Sequence, residues 1–245
     1  MNIKTIVRRI ATAIPVVDQN TEVVTPGRRS DANGQRIIYL PGVPSMHEKD
    51  VSKEVLEWWK VNKSSDFKEN GFIENEVPYP EFRRQRCDMV IDVTDAATTE
   101  RWAIEIKRLQ FIGDNGKKND HGVQKMLSPY LKDRSVIHDM RRLQVSSIAD
   151  RSAVVGYAFK HSFRSCDEAQ NLHPEHETRI NQMRSVCLEN DPISGRIDPM
   201  DLIEYANRQF QAEDIVHEFA FERFTNAWRH PCGGTGIVFG WEIKK

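Results

Sequence analysis

Residues 86–108, "RCDMVIDVTDAATTERWAIEIKR", decide the fold, because they contain two strand-like runs on either side of a turn. The runs are "RCDMVIDV" and "RWAIEIKR", and the polar segment "TDAATTE" separates them. Apolar runs that flank a polar, turn-forming segment predict a β-hairpin. If the hairpin is centred between Ala96 and Ala97, Asp88 lies directly opposite Glu105.

Three charged side chains of this predicted hairpin share one face. Successive side chains of a strand point to opposite sides of the sheet. Glu105 and Lys107 therefore point together, while Ile104 and Ile106 anchor the other face. Facing residues of an antiparallel pair have Cβ atoms about 5 Å apart. Asp88 and Glu105 would then converge beside a lysine.

The tripeptide of acid, any residue and lysine decides nothing by itself. It occurs at Asp66-Phe67-Lys68, Glu105-Ile106-Lys107 and Glu242-Ile243-Lys244, whereas residue frequencies alone predict about two occurrences. The first lies in a polar stretch, and the third ends the last predicted strand. The second alone has an acid at the mirror position of a preceding strand.

Two converging carboxylates repel each other unless a proton or a cation lies between them. Mg²⁺ suits such a pair, because it binds one or two carboxylates and keeps waters for substrate oxygens. Lys107 could orient or deprotonate a water, and a metal ion could stabilise charge on a phosphate oxygen. These groups suit hydrolysis of a phosphodiester. A solvated sheet face with incidental charges is the alternative.

The segments around the hairpin predict an α/β fold. Residues 51–63 have apolar side chains at helical spacing, including Trp58, with Asp50 or Ser52 as the cap. A short strand, "GFIENEVPYP", follows. After the hairpin come a helix in "DRSVIHDMRRLQVSSIAD" and a buried strand, "RSAVVGYAFK". The remainder predicts two helices, in "RINQMRSVCLEN" and "DPMDLIEYANRQFQAE", and two strands, in "DIVHEFAFERF" and "GIVFGWEIK".

This order of elements, with its acids and lysine, resembles the PD-(D/E)xK nuclease superfamily. The matching residues are Asp88 in "RCDMVID" and Glu105-Ile106-Lys107 in "AIEIK", over about residues 50–160. Cys87 stands where the family often has a proline. The resemblance implies a restriction-endonuclease-like mixed central sheet flanked by helices, with core order αβββαβ. It also implies a lead-in at 1–49, a nuclease core at 50–160 and an α+β extension at 161–245 packed on the core.

The resemblance also implies roles for individual residues. Asp88 and Glu105 would bind Mg²⁺, or Mn²⁺, with the backbone carbonyl of Ile106, and Lys107 would act on the attacking water. Many members add an acid from the first helix. Glu54 is the preferred candidate, because a helical wheel places it between Trp58 and Val61, inside the arc taken to face inward.

The implied activity is endonucleolytic cleavage of DNA, of restriction, defence or phage type. Basic residues near the site are candidates for phosphate contacts, although each cluster could also be a solvated face. The candidates are Arg84, Arg86, Lys117, Lys118, Arg141 and Arg142. A nuclease-like module that binds nucleic acid or protein without cleaving is the competing hypothesis. A homodimer, which cleavage at a palindrome would need, is left open.

Composition limits the classes of protein to which the chain can belong. The 245 residues are 39% hydrophobic and 29% charged, with a net charge of −1, and no apolar run is long enough to span a bilayer. The four cysteines form no C-x-x-C pair, which favours a reducing, cytoplasmic location over a disulfide framework. A zinc site is the weaker alternative for the group Cys166, His173, His176 and Cys187, because its spacing is unlike that of a zinc finger.

Overall fold

The computed structural model describes residues 1–22, 26–30, 34, 36–95, 98–119, 122–130 and 134–245. The described helices are α1 (Ile3–Asn20), α2 (Glu48–Asn62), α3 (Gly122–Leu127), α4 (Val136–Val145), α5 (Phe163–Leu172), α6 (Glu177–Asn190) and α7 (Met200–Ala212). The described strands are β1 (Pro26–Ser30), β2 (Arg36–Ile38), β3 (Ile73–Pro78), β4 (Arg86–Asp95), β5 (Thr98–Arg108), β6 (Arg151–Phe159), β7 (Val216–Ala227) and β8 (Gly234–Ile243). None of these helices is long and apolar enough to cross a membrane.

Six of the strands form one mixed sheet in the order β3-β4-β5-β6-β8-β7, and β1 and β2 pair separately. Strands β3, β4 and β5 are antiparallel to their neighbours, β6 runs parallel to β5, and β8 is antiparallel to both β6 and β7. The predicted α/β class is therefore confirmed. The predicted order of helix, three strands, helix and strand is present as α2, β3, β4, β5, α4 and β6, with the short helix α3 inserted between β5 and α4.

The β4–β5 hairpin has the predicted register. Met89 pairs with Ile104, and Asp95 pairs with Thr98, so the hairpin is centred between positions 96 and 97. Those two residues lie outside the described part of the chain. The register places Asp88 and Glu105 one step beyond the last pair, Met89 with Ile104.

Helices cover both faces of the sheet. On one face Ile104 and Ile106 pack in a buried cluster with residues of α1 and α2, such as Ile6 and Trp59. On the other face, Ala103 belongs to a buried cluster with residues of α4 and α7. Each large apolar side chain buried in this way contributes on the order of 2 kcal/mol. A smaller cluster joins α5 and α6 to the loop after β5.

Helix α2 differs from its prediction, and α1 and α5 each have a local feature of their own. Helix α2 begins at Glu48, three residues before the predicted start, and its N-cap, His47, provides no side-chain hydrogen bond. Acids in the first turn favour this earlier start, because they complement the positive end of the helix dipole. Helix α1 continues through Pro15. Helix α5 was not predicted, and a capping box between Ser162 and Ser165 begins it.

Parts of the chain on both sides of the predicted domain limits share the sheet. Strand β8 pairs with β6, so the sheet continues across the limit at 160. Helix α1, from the predicted lead-in, packs on β7 and β8. The division into three domains stays a prediction.

Candidate active site

Asp88, Glu105 and Lys107 meet at one edge of the sheet. Asp88 is near the beginning of β4, and the other two are near the end of the antiparallel strand β5. Asp88 Oδ2 accepts a hydrogen bond of 2.7 Å from the backbone N–H of Ile106. The carboxyl group of Asp88 lies close enough to Glu105 for its charge to raise the pKa of Glu105. The residues that define the sequence motif are therefore brought together.

Glu105 is at the centre of the cluster and only 2% exposed. Its Oε1 accepts hydrogen bonds of 2.5 Å from the Tyr79 hydroxyl and 2.6 Å from Arg142 Nη2. Its Oε2 lies 3.8 Å from Lys107 Nζ. Burial and the charge of Asp88 raise the pKa of Glu105 to about 7, despite the two nearby cations. The pocket therefore disfavours the ionised form of this carboxyl group.

Lys107 is held by an acid that sequence reasoning did not identify. Its Nζ lies 2.8 Å from Asp139 Oδ2. Burial opposes the charged form, but the carboxylates of Asp139, Glu105 and Asp88 outweigh it and raise the pKa of Lys107. The ammonium group stays protonated at neutral pH, which suits it to donate hydrogen bonds rather than to accept a proton.

Helix α4 supplies both Asp139 and Arg142. Its apolar residues Val136, Met140 and Leu143 are buried against the sheet, which turns the two charged side chains toward β5. Arg142 also hydrogen-bonds to Asp139. The only local signal for this contribution is an acid and an arginine three residues apart beside the apolar stripe, and such pairs are common on helices.

Tyr79 completes the enclosure of Glu105. The Arg142 guanidinium lies 4.8 Å from the centre of the Tyr79 ring, a distance typical of a cation–π contact. Burial and the charge of Glu105 raise the pKa of the Tyr79 hydroxyl. It therefore remains a hydrogen-bond donor to Glu105.

The cluster has more acids than bases. Asp88, Glu105 and Asp139 face Lys107 and Arg142, so full ionisation leaves one excess negative charge. Burial is the largest cause of the raised pKa of both Asp88 and Asp139. A bound cation would relieve this excess, and two neighbouring carboxylates suit Mg²⁺. Within the described residues, no three His, Cys, Asp or Glu side chains are grouped to hold a metal ion.

The predicted helix acid, Glu54, has an exposed side chain. The prediction that it faces inward is therefore wrong. Trp58 is only half-buried, whereas Leu56 is fully buried, so the inward arc is rotated away from Glu54. Glu48, in the first turn, lies on the buried side instead.

Glu48 connects α2 to the end of β5. Its Oε1 accepts a hydrogen bond of 2.8 Å from the backbone N–H of Arg108 and lies 2.9 Å from Lys125 Nζ. Burial opposes ionisation, but the charges of Lys125 and Lys107 hold the pKa of Glu48 below its usual value. Glu48 is therefore an ionised acid beside the cluster, and the early start of α2 is what places it there.

The predicted phosphate contacts divide into two groups. Five side chains are exposed: Arg84, Arg86, Lys117, Lys118 and Arg141. Arg141 pairs with Glu213 at 3.0 Å. Arg142 differs, because its side chain is only 17% exposed and holds Glu105. Its predicted contact with phosphate stays a prediction, whereas the alternative of a solvated face does not hold for it, because α4 packs on the sheet beside β5.

Comparisons of the chain with protein-family models, with curated proteins and with solved structures found no match. The chain is therefore described by its fold and site alone, as a mixed α/β protein with a buried cluster of acids, a lysine and an arginine at one edge of its sheet.

Proposed function

We propose that this protein is a Mg²⁺-dependent nuclease that hydrolyses phosphodiester bonds of DNA. The observation that carries the proposal is the convergence of Asp88, Glu105 and Lys107 at one edge of the sheet, within a buried cluster of three acids and two cations. A scaffold gains nothing from burying like charges together, because the desolvation cost is several kcal/mol per ion. A metal site does gain from it.

The arrangement of the sheet supports a restriction-endonuclease-like fold. The order α2, β3, β4, β5, α4, β6 agrees with the αβββαβ order of the resembled family. The two acids lie on the second and third strands, as in that family. The parallel pairing of β5 with β6 makes α4 a crossover helix, which packs against the face that holds Glu105 and Lys107.

In the proposed site Asp88 and Glu105 hold the metal ion together with the backbone carbonyl of Ile106. Bound Mg²⁺, or Mn²⁺, supplies a positive charge that stabilises the phosphate oxygens as negative charge builds up. Lys107, kept charged by its acidic neighbours, donates a hydrogen bond that orients the attacking water. The resemblance implies in-line attack that leaves a 3′-hydroxyl and a 5′-phosphate.

Exposed basic residues support a nucleic-acid substrate. Arg84 and Arg86 lie at or just before the start of β4, and Lys117 and Lys118 lie in the loop after β5. The start of β4 and the end of β5 are at the same edge of the sheet as the acids. Side chains there can contact phosphates on either side of the scissile bond, which fixes position without reading sequence. Cleavage of both strands would further require a homodimer.

The decisive assay compares supercoiled plasmid, single-stranded DNA and RNA in Mg²⁺, Mn²⁺ or EDTA. We expect the wild type to cleave DNA in either metal and to be inactive in EDTA. Asp88→Ala should abolish cleavage, because one of the two metal ligands is lost. Cleavage that persists in Asp88→Ala would place the activity elsewhere and refute this site.

A nuclease-like binding module that does not cleave is the second candidate. The observation in its favour is that Arg142 and Lys107 already neutralise part of the Glu105 charge, which a metal ion would otherwise do. It predicts tight binding to DNA, measured by fluorescence anisotropy, with no product from any substrate in either metal. Cleavage by the wild type, lost in Asp88→Ala, would exclude it.

A further inference from the structure

Arg142 occupies the position of a counter-ion for Glu105. Its Nη2 lies 2.6 Å from Glu105 Oε1 and also donates to Asp139 Oδ1. Its Nη1 donates a hydrogen bond of 3.1 Å to Gln85 Oε1. The guanidinium stacks on Tyr79 and reaches Glu105 from α4, while Lys107 reaches it from β5. Glu105 thus has two cationic neighbours, Arg142 and Lys107.

The attachment of Arg142 is incomplete. Among the described residues, its Nε is buried and has no hydrogen-bond partner. A buried donor without a partner is unfavourable, so part of the gain from the Glu105 contact is lost. Arg142 also shares Glu105 Oε1 with the Tyr79 hydroxyl. Lys107, in contrast, has a second and nearer acid in Asp139, at 2.8 Å against 3.8 Å for Glu105.

We propose that Arg142 and the divalent cation compete for Glu105, so that metal binding releases the guanidinium toward a substrate phosphate. The inference rests on the proposed function, because it takes Asp88 and Glu105 as the metal ligands. With all three carboxylates ionised and no metal bound, three negative and two positive charges leave one negative charge. A divalent ion changes this to one positive charge, which a phosphodiester neutralises.

Because of this competition, the position of Arg142 controls whether the site can bind phosphate. Before metal binds, Glu105 and Asp139 hold the guanidinium inside the cluster, away from a substrate phosphate. After metal binds, the same residue becomes a donor for phosphate oxygens, a role for which its planar fork of N–H groups is well suited. Metal loading and substrate binding are thus coupled through one side chain.

The test measures metal affinity without any substrate. Free Mn²⁺ is followed by electron paramagnetic resonance as the purified full chain is titrated. Arg142→Gln removes the competing charge, so its Kd for Mn²⁺ should be lower than that of the wild type by about tenfold. Arg142→Lys keeps a cation and should remain close to wild type. The matched control is Arg141→Gln, because Arg141 is the neighbouring exposed arginine of the same helix and pairs with Glu213; its Kd should not change.

The outcomes separate the two proposals. Weaker or unchanged Mn²⁺ binding in Arg142→Gln, with normal binding by the wild type, overturns the competition and leaves the proposed function standing. A wild type that binds no Mn²⁺ overturns both. A second measurement does not depend on the folding of Arg142→Gln: the Nε–H resonance of Arg142 in the wild type, assigned by its absence in Arg142→Lys, should shift on addition of Mg²⁺. A resonance that does not respond to saturating Mg²⁺ also overturns the competition.

Discussion

The sheet contains two segments of acid, isoleucine and lysine at the ends of strands, Glu105-Ile106-Lys107 on β5 and Glu242-Ile243-Lys244 on β8 and just beyond it. Both acids are buried, with exposures of 2% and 6%. Each accepts a hydrogen bond of 2.6 Å from an arginine Nη2, that of Arg142 or of Arg151. The two segments are therefore alike in sequence and in the arginine that each acid binds.

Their surroundings differ. Lys244 pairs with the exposed Asp214, away from Glu242. Arg151 is shared between Glu242 and the partly exposed Glu100, and it stacks on Trp102 at 4.2 Å. Among the described residues, these contacts bring no second buried carboxylate to Glu242, whereas Glu105 has Asp88 and Asp139. The comparison shows that converging carboxylates, rather than the tripeptide, distinguish a candidate active site from a structural ion pair.

The largest expected effect is on catalysis. Lys107→Ala should reduce the rate of plasmid cleavage by about 10³-fold, because the group that orients the attacking water is removed. Lys244→Ala is the matched control and should cleave at the wild-type rate. The measurement is the initial rate of plasmid cleavage at saturating Mg²⁺. An equal loss of rate in both variants would mean that the two segments do not differ in function.

Stability should respond in opposite directions at the two acids. Glu242→Gln removes one partner of a largely buried pair and should lower the free energy of unfolding by about 3 kcal/mol. Glu105→Gln, measured in EDTA at pH 8, should instead raise it by about 2 kcal/mol. Folding raises the pKa of Glu105 from its ordinary value of 4.5 to about 7. Ionised Glu105 therefore lowers the free energy of unfolding at pH values above about 7, and glutamine avoids this loss.

A measurement at lower pH is the control for the stability gain expected of Glu105→Gln. At pH 5 Glu105 is protonated in the folded chain and resembles glutamine, so the gain from Glu105→Gln should shrink toward zero. Urea unfolding followed by circular dichroism at both pH values measures the difference. A destabilised Glu105→Gln at pH 8 would mean that Glu105 is a structural ion pair like Glu242.

The smallest effect separates two acids of helix α2. Glu48→Gln should slow cleavage by about tenfold, because it removes a charge that acts on Lys107 and helps to fix the end of β5. Glu54→Gln, on the exposed side of the helix, should have the lesser effect. Cleavage rates measured side by side check this order, and a larger loss in Glu54→Gln would restore the original prediction from the helical wheel.

Local patterns were sufficient for the hairpin. Alternation of apolar and polar residues predicted both strands and their register, and the register brought Asp88 to Glu105. The contributions of Asp139 and Arg142 were not predictable in the same way, because they depend on how α4 packs across the sheet. Glu48 was missed because the predicted helix began at residue 51, three residues after the observed start. Glu54 was preferred instead because Trp58, which was taken to face inward, is only half-buried.

The most direct test of the central claim is the position of a metal ion in crystals of the wild-type protein grown with Mn²⁺. Anomalous differences should show a peak in contact with the carboxylates of both Asp88 and Glu105, and Asp88→Asn crystals should lack it. A peak at another place, or Asp88 and Glu105 without any peak at saturating Mn²⁺, would contradict the claim that this acid cluster is a metal-dependent active site.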